Sequence, residues 1–160
     1  MKPIMLATDG SPASEEAARE AIELAAMLHA PLLVVSVVHV GLPSYGYYGY
    51  AEVYSELRKS EHEHAEQVLA ELAARAAERG VECETFPLEG QVVDALCTFA
   101  RKHGATMIVM GAHGWGALHR LVFGSVSQGV LHAAPCPVLI ARPRAAGERT
   151  WVDEHAEAAA

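Results

Sequence analysis

Five short apolar runs alternate along the chain with segments in which apolar residues recur at helical spacing. "PIMLATD" opens as a run apolar enough for a fully buried strand and stops at Asp9-Gly10. A helix is predicted at once: Ser11 as N-cap, Pro12 at the first helical position, and Glu15 and Glu16 in the first turns, where acids suit the dipole. Ala17, Ala21, Leu24, Ala25 and Leu28 keep one face apolar as far as Pro31. "PLLVVSVVHV" is a second strand, apolar on both faces, as expected where helices cover both sides of a parallel sheet. A long helix is predicted from about Ser55 to Arg79, with Leu57, Val68, Leu72 and Ala76 as its buried stripe and Gly80 as its stop. "VECETFPLE" alternates and reads as a strand near an edge; Val92, Leu96, Phe99 and Ala100 place a helix over roughly 91–103, ended by Gly104. "TMIVM" is the fourth strand, Val126 to Ala133 a short helix, and "PVLIA" the fifth strand.

Strands alternating with helices define the class: α/β, an open five-stranded parallel sheet with helices on both faces, a Rossmann-like or flavodoxin-like three-layer sandwich. Two segments stand outside the pattern. Residues 41–54, "GLPSYGYYGYAEVY", combine three glycines, a proline and five tyrosines, and read as a loop or lid whose aromatic density also suits a partner interface. The tail 143–160 is Ala-rich and acidic with a single Trp151, and is expected to be flexible or packed on a partner.

A length of 160 residues suits one domain with its own core. The net charge of −8 opposes a polyanion-binding surface, so nucleic acid is not expected as a partner. No apolar run approaches the roughly 20 residues of a membrane span, and "MKPIMLATDGS" meets Asp9 too early for a signal peptide, which points to the cytoplasm. Cys83, Cys97 and Cys136 are odd in number and far apart, arguing for packing rather than a disulfide framework or a metal pair. Among the histidines, only pairs such as His62 with Glu66 share a helix face, a weak basis for a metal site.

The chemistry concentrates after the fourth strand. In "MIVMGAHGWGALHRLVFGSVS", Gly111, Gly114, Gly116 and Gly124 lie in one connection that ends in Ser125 and Ser127. Ligands of open α/β sheets bind beyond the carboxyl ends of the strands where strand order reverses. Asp9 and Gly111 would flank such a crevice if the first and fourth strands are neighbours. Glycine lets amide groups approach phosphate oxygens without a Cβ in the way, and a helix starting near Ser125 offers unpaired N–H groups. The plainer readings are Ser125 as a simple N-cap and Asp9 as a helix-capping or turn carboxylate, which Asp9 can be while also serving the site. There is no GxxxxGK[ST] motif, so phosphate charge would be offset by backbone amides, Mg2+ and the neighbourhood of His113, His119 or Arg120. Trp115 is expected to point outward, since an indole would block the cradle.

The spacing Gly111-x2-Gly114-x9-Gly124-Ser125, the opening "IMLATDGSPAS", the "SVVHV" of the second strand and the finish "APCPVLIAR" together resemble the universal stress protein family over about residues 2–142. The resemblance implies a strand order of 3-2-1-4-5, with the first and fourth strands side by side. It implies an ATP site (or ADP or AMP, with Mg2+) made by Ala7, Thr8, Asp9, Val40, Met110, Gly111, Gly114, Gly124, Ser125, Val126 and Ser127. Asp9 and Ser125 would be the groups nearest a metal. It also implies a homodimer formed through "PVLIA" and a stress-response or regulatory role exerted on a protein partner. Two other readings stand beside it: a slow Mg2+-dependent ATPase or transfer enzyme with Asp9 as base, and a nucleotide-free interaction module using the tyrosine segment and the tail.

Overall fold

The computed structural model describes residues 1–38, 51–113 and 123–142, with residues 51–54 described as backbone only. Val40, Gly114, the tyrosines before residue 51, Trp115, His119, Arg120 and the tail from 143 lie outside the described residues.

Five strands and four helices alternate: β1 (Ile4–Thr8), α1 (Pro12–Leu28), β2 (Leu32–Val38), α2 (Ala51–Glu78), β3 (Cys83–Glu89), α3 (Val92–His103), β4 (Met107–Gly111), α4 (Ser125–Ala133) and β5 (Val138–Ala141). All pairings are parallel, in the order β3-β2-β1-β4-β5. β1 is central, with Ala7 in register with Val35 on one side and Met110 on the other. The chain therefore leaves β1 toward β2 and β3 first, and returns to its other side with β4 and β5. The carboxyl ends of β1 and β4 form the switch point.

Every residue of β1 is buried, and alternate residues feed two cores. Ile4 and Leu6, with Leu32, Val34 and Val109, meet Ala17, Ala18, Ala21 and Ile22 of α1 and Leu69, Leu72 and Ala76 of α2. Met5 and Ala7, with Leu33, Val35, Ile108 and Met110, meet Leu96, Phe99 and Ala100 of α3 and Val130 of α4. The small residues of α1 let that helix lie close to the sheet. At the edge, β3 is only alternately half-buried and tolerates Pro87, whose missing N–H would interrupt a ladder in the sheet interior.

Helix ends follow local chemistry. Ser11 caps α1 with Pro12 in its first turn, and His29 closes that helix in the left-handed conformation (φ 51°), donating its N–H to Ala25 and Ala26 carbonyls. Gly104 closes α3 in the same conformation.

Three expectations need correction. α2 begins at Ala51 rather than near Ser55, inside the segment expected as a loop to residue 54, because Ala51 and Glu52 are good helix formers that extend it backward. Leu57 is 52% exposed and is not part of the buried stripe, which Ala65, Leu69, Leu72 and Ala76 form with Val68 beside them. Twenty-eight helical residues span about 42 Å, whereas the seven of β2 span about 23 Å, so the first turns of α2 overrun the layer that would cover Leu57. Finally, α4 starts one residue earlier than expected, and its N-cap is Gly124 rather than Ser125.

Candidate functional site

At the β1–α1 corner, short polar side chains replace the backbone partners that the turn removes. The Asp9 carboxylate accepts from Ser11 N–H at 3.0 Å, and Thr8 Oγ1 accepts from Gly10 N–H at 3.2 Å. Thr8 donates its own hydroxyl to Ser14 Oγ at 3.1 Å, and Ser14 Oγ donates to the Ser11 carbonyl at 2.9 Å. The cap itself is the 3.3 Å bond from Ser14 N–H to Ser11 Oγ. The Ser11 hydroxyl also donates to the His113 carbonyl at 3.4 Å, tying this corner to the end of β4. Asp9 thus fills the turn role that its sequence position allows.

The second half of the site is the β4–α4 junction. Gly124 N–H donates to the Ala112 carbonyl at 2.8 Å. The Ser127 hydroxyl, on a side chain buried in the protein, is shared between the Ala112 and Gly124 carbonyls, both at 2.9 Å. Its proton is engaged in holding the junction. α4 has no side-chain cap, and its first intrahelical bond runs from Gln128 N–H to Gly124 O at 3.0 Å. The amides of Ser125, Val126 and Ser127 therefore precede the helical ladder and have no acceptor within it.

These two junctions border one cleft of about 540 Å3 beyond the carboxyl ends of β1, β2 and β4, within the size range of small-molecule sites. The structure gathers Ala7, Thr8, Asp9, Met110, Gly111, Gly124, Ser125, Val126 and Ser127 around it, with His113 at the rim. Val40 and Gly114 fall outside the described residues. Sequence reasoning did not assign Ser14, Val37, Val92, Leu96, Ala112 or Glu61 to the site. Val37 reads in the sequence as a strand residue and Val92 and Leu96 as helix core residues, and the end of β2 and the start of α3 are where the strand-end rule places a cleft. Glu61, in the charge-rich run "SELRKSEHEHAEQ", carried no such signal.

The lining divides by chemistry. Val37, Val92 and Leu96 supply apolar surface, the start of α4 supplies N–H donors, and Asp9 and Glu61 supply carboxylates. No lysine or arginine lines the cleft among the described residues. An anionic group could be met there by the α4 amides and dipole, or by a cation held on the carboxylates.

Gly111 and Gly124 line the cleft for different reasons. A Cβ on Gly111 would meet the backbone of Ala13 and Ser14 at 2.7–2.8 Å, so its missing side chain admits the first turn of α1. A Cβ on Gly124 would find the Ala112 oxygen no nearer than 3.5 Å, an ordinary contact. Close packing explains the first glycine. Packing against the described residues does not require the second.

Other candidates sit elsewhere. His62 lies 2.7 Å from Glu89 on β3 rather than pairing with Glu66, and Arg58 bonds the same carboxylate at 3.1 Å. Among the described residues no cluster of three or more His, Cys, Asp or Glu side chains could hold a metal. The three cysteines are free thiols, and burial raises the pKa of each, which favours the protonated form. No described helix is long and apolar enough to cross a membrane.

The sheet order places the chain among known proteins of the same fold. The universal stress protein family model matches residues 1–142. A universal stress protein of Methanocaldococcus jannaschii is 39% identical over 145 residues, covering 88% of this chain and 82% of that one. The chain belongs to the universal stress protein family. Among solved structures, UspA from Lactobacillus plantarum superposes with a TM-score of 0.81 at 28% identity, covering 88% of this chain and 97% of that one. A universal stress protein solved in complex with cAMP superposes at 0.67 with 26% identity, over 89% of this chain and 98% of its own.

Proposed function

We propose that the cleft binds an adenine nucleotide, ATP with Mg2+ foremost and ADP or AMP as its simpler forms, and that the protein acts as a nucleotide-dependent regulatory module rather than as a dedicated enzyme. One observation carries the reading: three consecutive amides, of Ser125, Val126 and Ser127, stand unladdered at the start of α4 in the same cleft as apolar Val37 and Leu96 and the acid Asp9. A flat base, a sugar and a phosphate present the complementary chemistries in one molecule. The cAMP complex of a relative supports an adenine ligand. Mg2+ would be held by Asp9 and by phosphate oxygens, with the Ser125 hydroxyl within its sphere, a low protein ligand count normal for this ion. The ion would supply the positive charge that no described lining side chain offers.

The test exploits backbone geometry. Gly124 has φ −75° and ψ 164°, the extended conformation that a residue before proline prefers, and proline is favoured at the first helical position. Ser125→Pro therefore deletes one cradle amide while suiting the helix, and Ser125→Ala deletes only the hydroxyl. Calorimetric titration of Mg2+-ATP and AMP into nucleotide-stripped protein should show saturable binding near one per chain. Losing a hydrogen bond to a charged group should weaken it roughly 10–100-fold in Ser125→Pro. Absence of binding by wild-type protein overturns the reading.

The regulatory unit we infer is a homodimer paired through β5. That strand ends the sheet, and its Val138, Leu139 and Ile140 are only half-buried, leaving an apolar edge that a second copy would cover. Sedimentation equilibrium at micromolar concentration should give about twice the chain mass of 17.1 kDa; a monomer there would overturn the inference.

A further inference from the structure

Among the described residues, Glu61 is the one charged side chain that α2 contributes to the lining of the cleft, and contacts on two sides of the helix explain its position. α2 joins two parallel strands and runs back against them, so its early turns lie at the carboxyl edge of the sheet. There it presses on the β1–α1 corner: Gly10 has φ +73°, and a Cβ built on it would meet His64 Nε2 at 3.0 Å and Val68 Cγ2 at 3.1 Å. Residues 61, 64 and 68 share a helix face, so Glu61 stands one turn beyond that contact, and it lines the same cleft as Asp9. From the other side, Arg58 and His62 grip Glu89, the last residue of β3, which fixes the same turns of α2 to the sheet edge.

The Glu61 carboxylate has no hydrogen-bond or ion-pair partner among the described residues, although Arg58, Lys59 and His62 are its near neighbours in sequence and are engaged with Glu89 and Glu63. Among the described residues it is a solvent-exposed acceptor on the lining of the cleft with no protein donor. The donors of an adenine nucleotide are its ribose hydroxyls and its exocyclic amine. The apolar surface suited to the base comes from Val37, Val92 and Leu96, of which the last two lie on α3, across the sheet from α2. The phosphate-binding amides lie at α4, on that same far face. Of the two acids on the α1–α2 side, Asp9 is assigned to the Mg2+ and Glu61 falls to the sugar.

We propose that Glu61 is a specificity-determining residue that accepts a hydrogen bond from a ribose hydroxyl and makes the cleft select ribonucleotides over deoxyribonucleotides. The proposal rests on the adenine-nucleotide reading and deepens it. Both acids accept; Asp9 already spends one oxygen on Ser11 N–H, so Glu61 carries the discrimination.

Calorimetric titration of AMP, 2′-deoxy-AMP and 3′-deoxy-AMP into wild-type, Glu61→Ala and Glu61→Gln proteins tests it. Wild-type protein should prefer AMP to at least one deoxy form by about tenfold, the loss expected for a hydrogen bond to a charged acceptor. Glu61→Ala should lower AMP affinity to the deoxy level and leave that deoxy form within about threefold of its wild-type affinity. Glu61→Gln, which keeps a neutral acceptor oxygen, should fall between. Unchanged discrimination in Glu61→Ala overturns the assignment. So does tighter AMP binding in that variant, since it would show the carboxylate merely repelling phosphate. Glu61 is exposed, so thermal unfolding of the variants should match wild type and confirm that lost discrimination is local. If wild-type protein binds none of the three, the nucleotide reading itself falls.

Discussion

Gly111 touches Ala13 as closely as two backbones can: a Cβ at position 111 would sit 2.7 Å from the Ala13 carbonyl carbon and 2.8 Å from its oxygen. The first turn of α1 rests on the end of β4 at this point, and helix backbone cannot rotate aside as a side chain can. Gly111→Ala should destabilise the protein by about 3 kcal/mol, at the upper end of ordinary overpacking. Gly124→Ala meets no such obstacle and forfeits only N-cap preference, about 1 kcal/mol. Denaturant unfolding of the two variants should separate them, and equal losses would contradict the packing account.

Ser11 is 1% exposed and serves both α1, through Ser14 N–H, and the end of β4, through the His113 carbonyl. Ser11→Ala removes both bonds and leaves a buried amide unpaired. A loss of about 1–2 kcal/mol is expected by denaturant unfolding. Ser11→Thr or Ser11→Asp would retain the acceptor but enlarge a buried position, and should recover less than all of it.

His29 terminates α1 with φ 51°, a conformation that costs most L-residues energy and glycine almost none. His29→Gly should therefore stabilise the protein by roughly 0.5–1 kcal/mol, raising Tm by about 1–4 °C. A lower Tm would show that the imidazole contributes more than the strained backbone costs.

The Glu89 carboxyl is held below its ordinary pKa of 4.5, first by the hydrogen bond with His62 and then by the charge of Arg58. The folded state binds this proton less readily than the unfolded chain does. Its contribution to stability is thus complete above pH 4.5 and drains away as the pH falls from there through the folded value. Glu89→Gln should flatten the fall of Tm with acidification, modestly because the pair is exposed, and the difference should shrink in high salt. Melting curves from about pH 6 to pH 3 at two salt concentrations check it; parallel curves for the two proteins would remove the pair from the pH response.

Much of this architecture could be read from the chain because its signals are local. The buried runs of β1, β2 and β4 needed no alternation to be recognised, the half-burial of β3 was written in "CETFPLE", and Ser11, Pro12 and Gly104 mark helix ends by their own conformational chemistry. What escaped depends on distance through space. Periodicity put Leu57 on the same face as Val68 but carried no knowledge of where the sheet ends. The glycine spacing singled out Gly111, yet could not tell a phosphate's approach from that of Ala13. Glu61 resembles its solvated neighbours in every respect except that α2 delivers it to the cleft.

The two helices that begin at the cleft are finished differently. α1 has its first turn tied off by Ser11 and Ser14, whereas α4 begins at Gly124 with no side-chain cap. The cleft consequently has a head and a tail. An elongated ligand that is anionic at one end meets a capped helix start on one side and an uncapped one on the other, and only one of its two orientations matches that asymmetry.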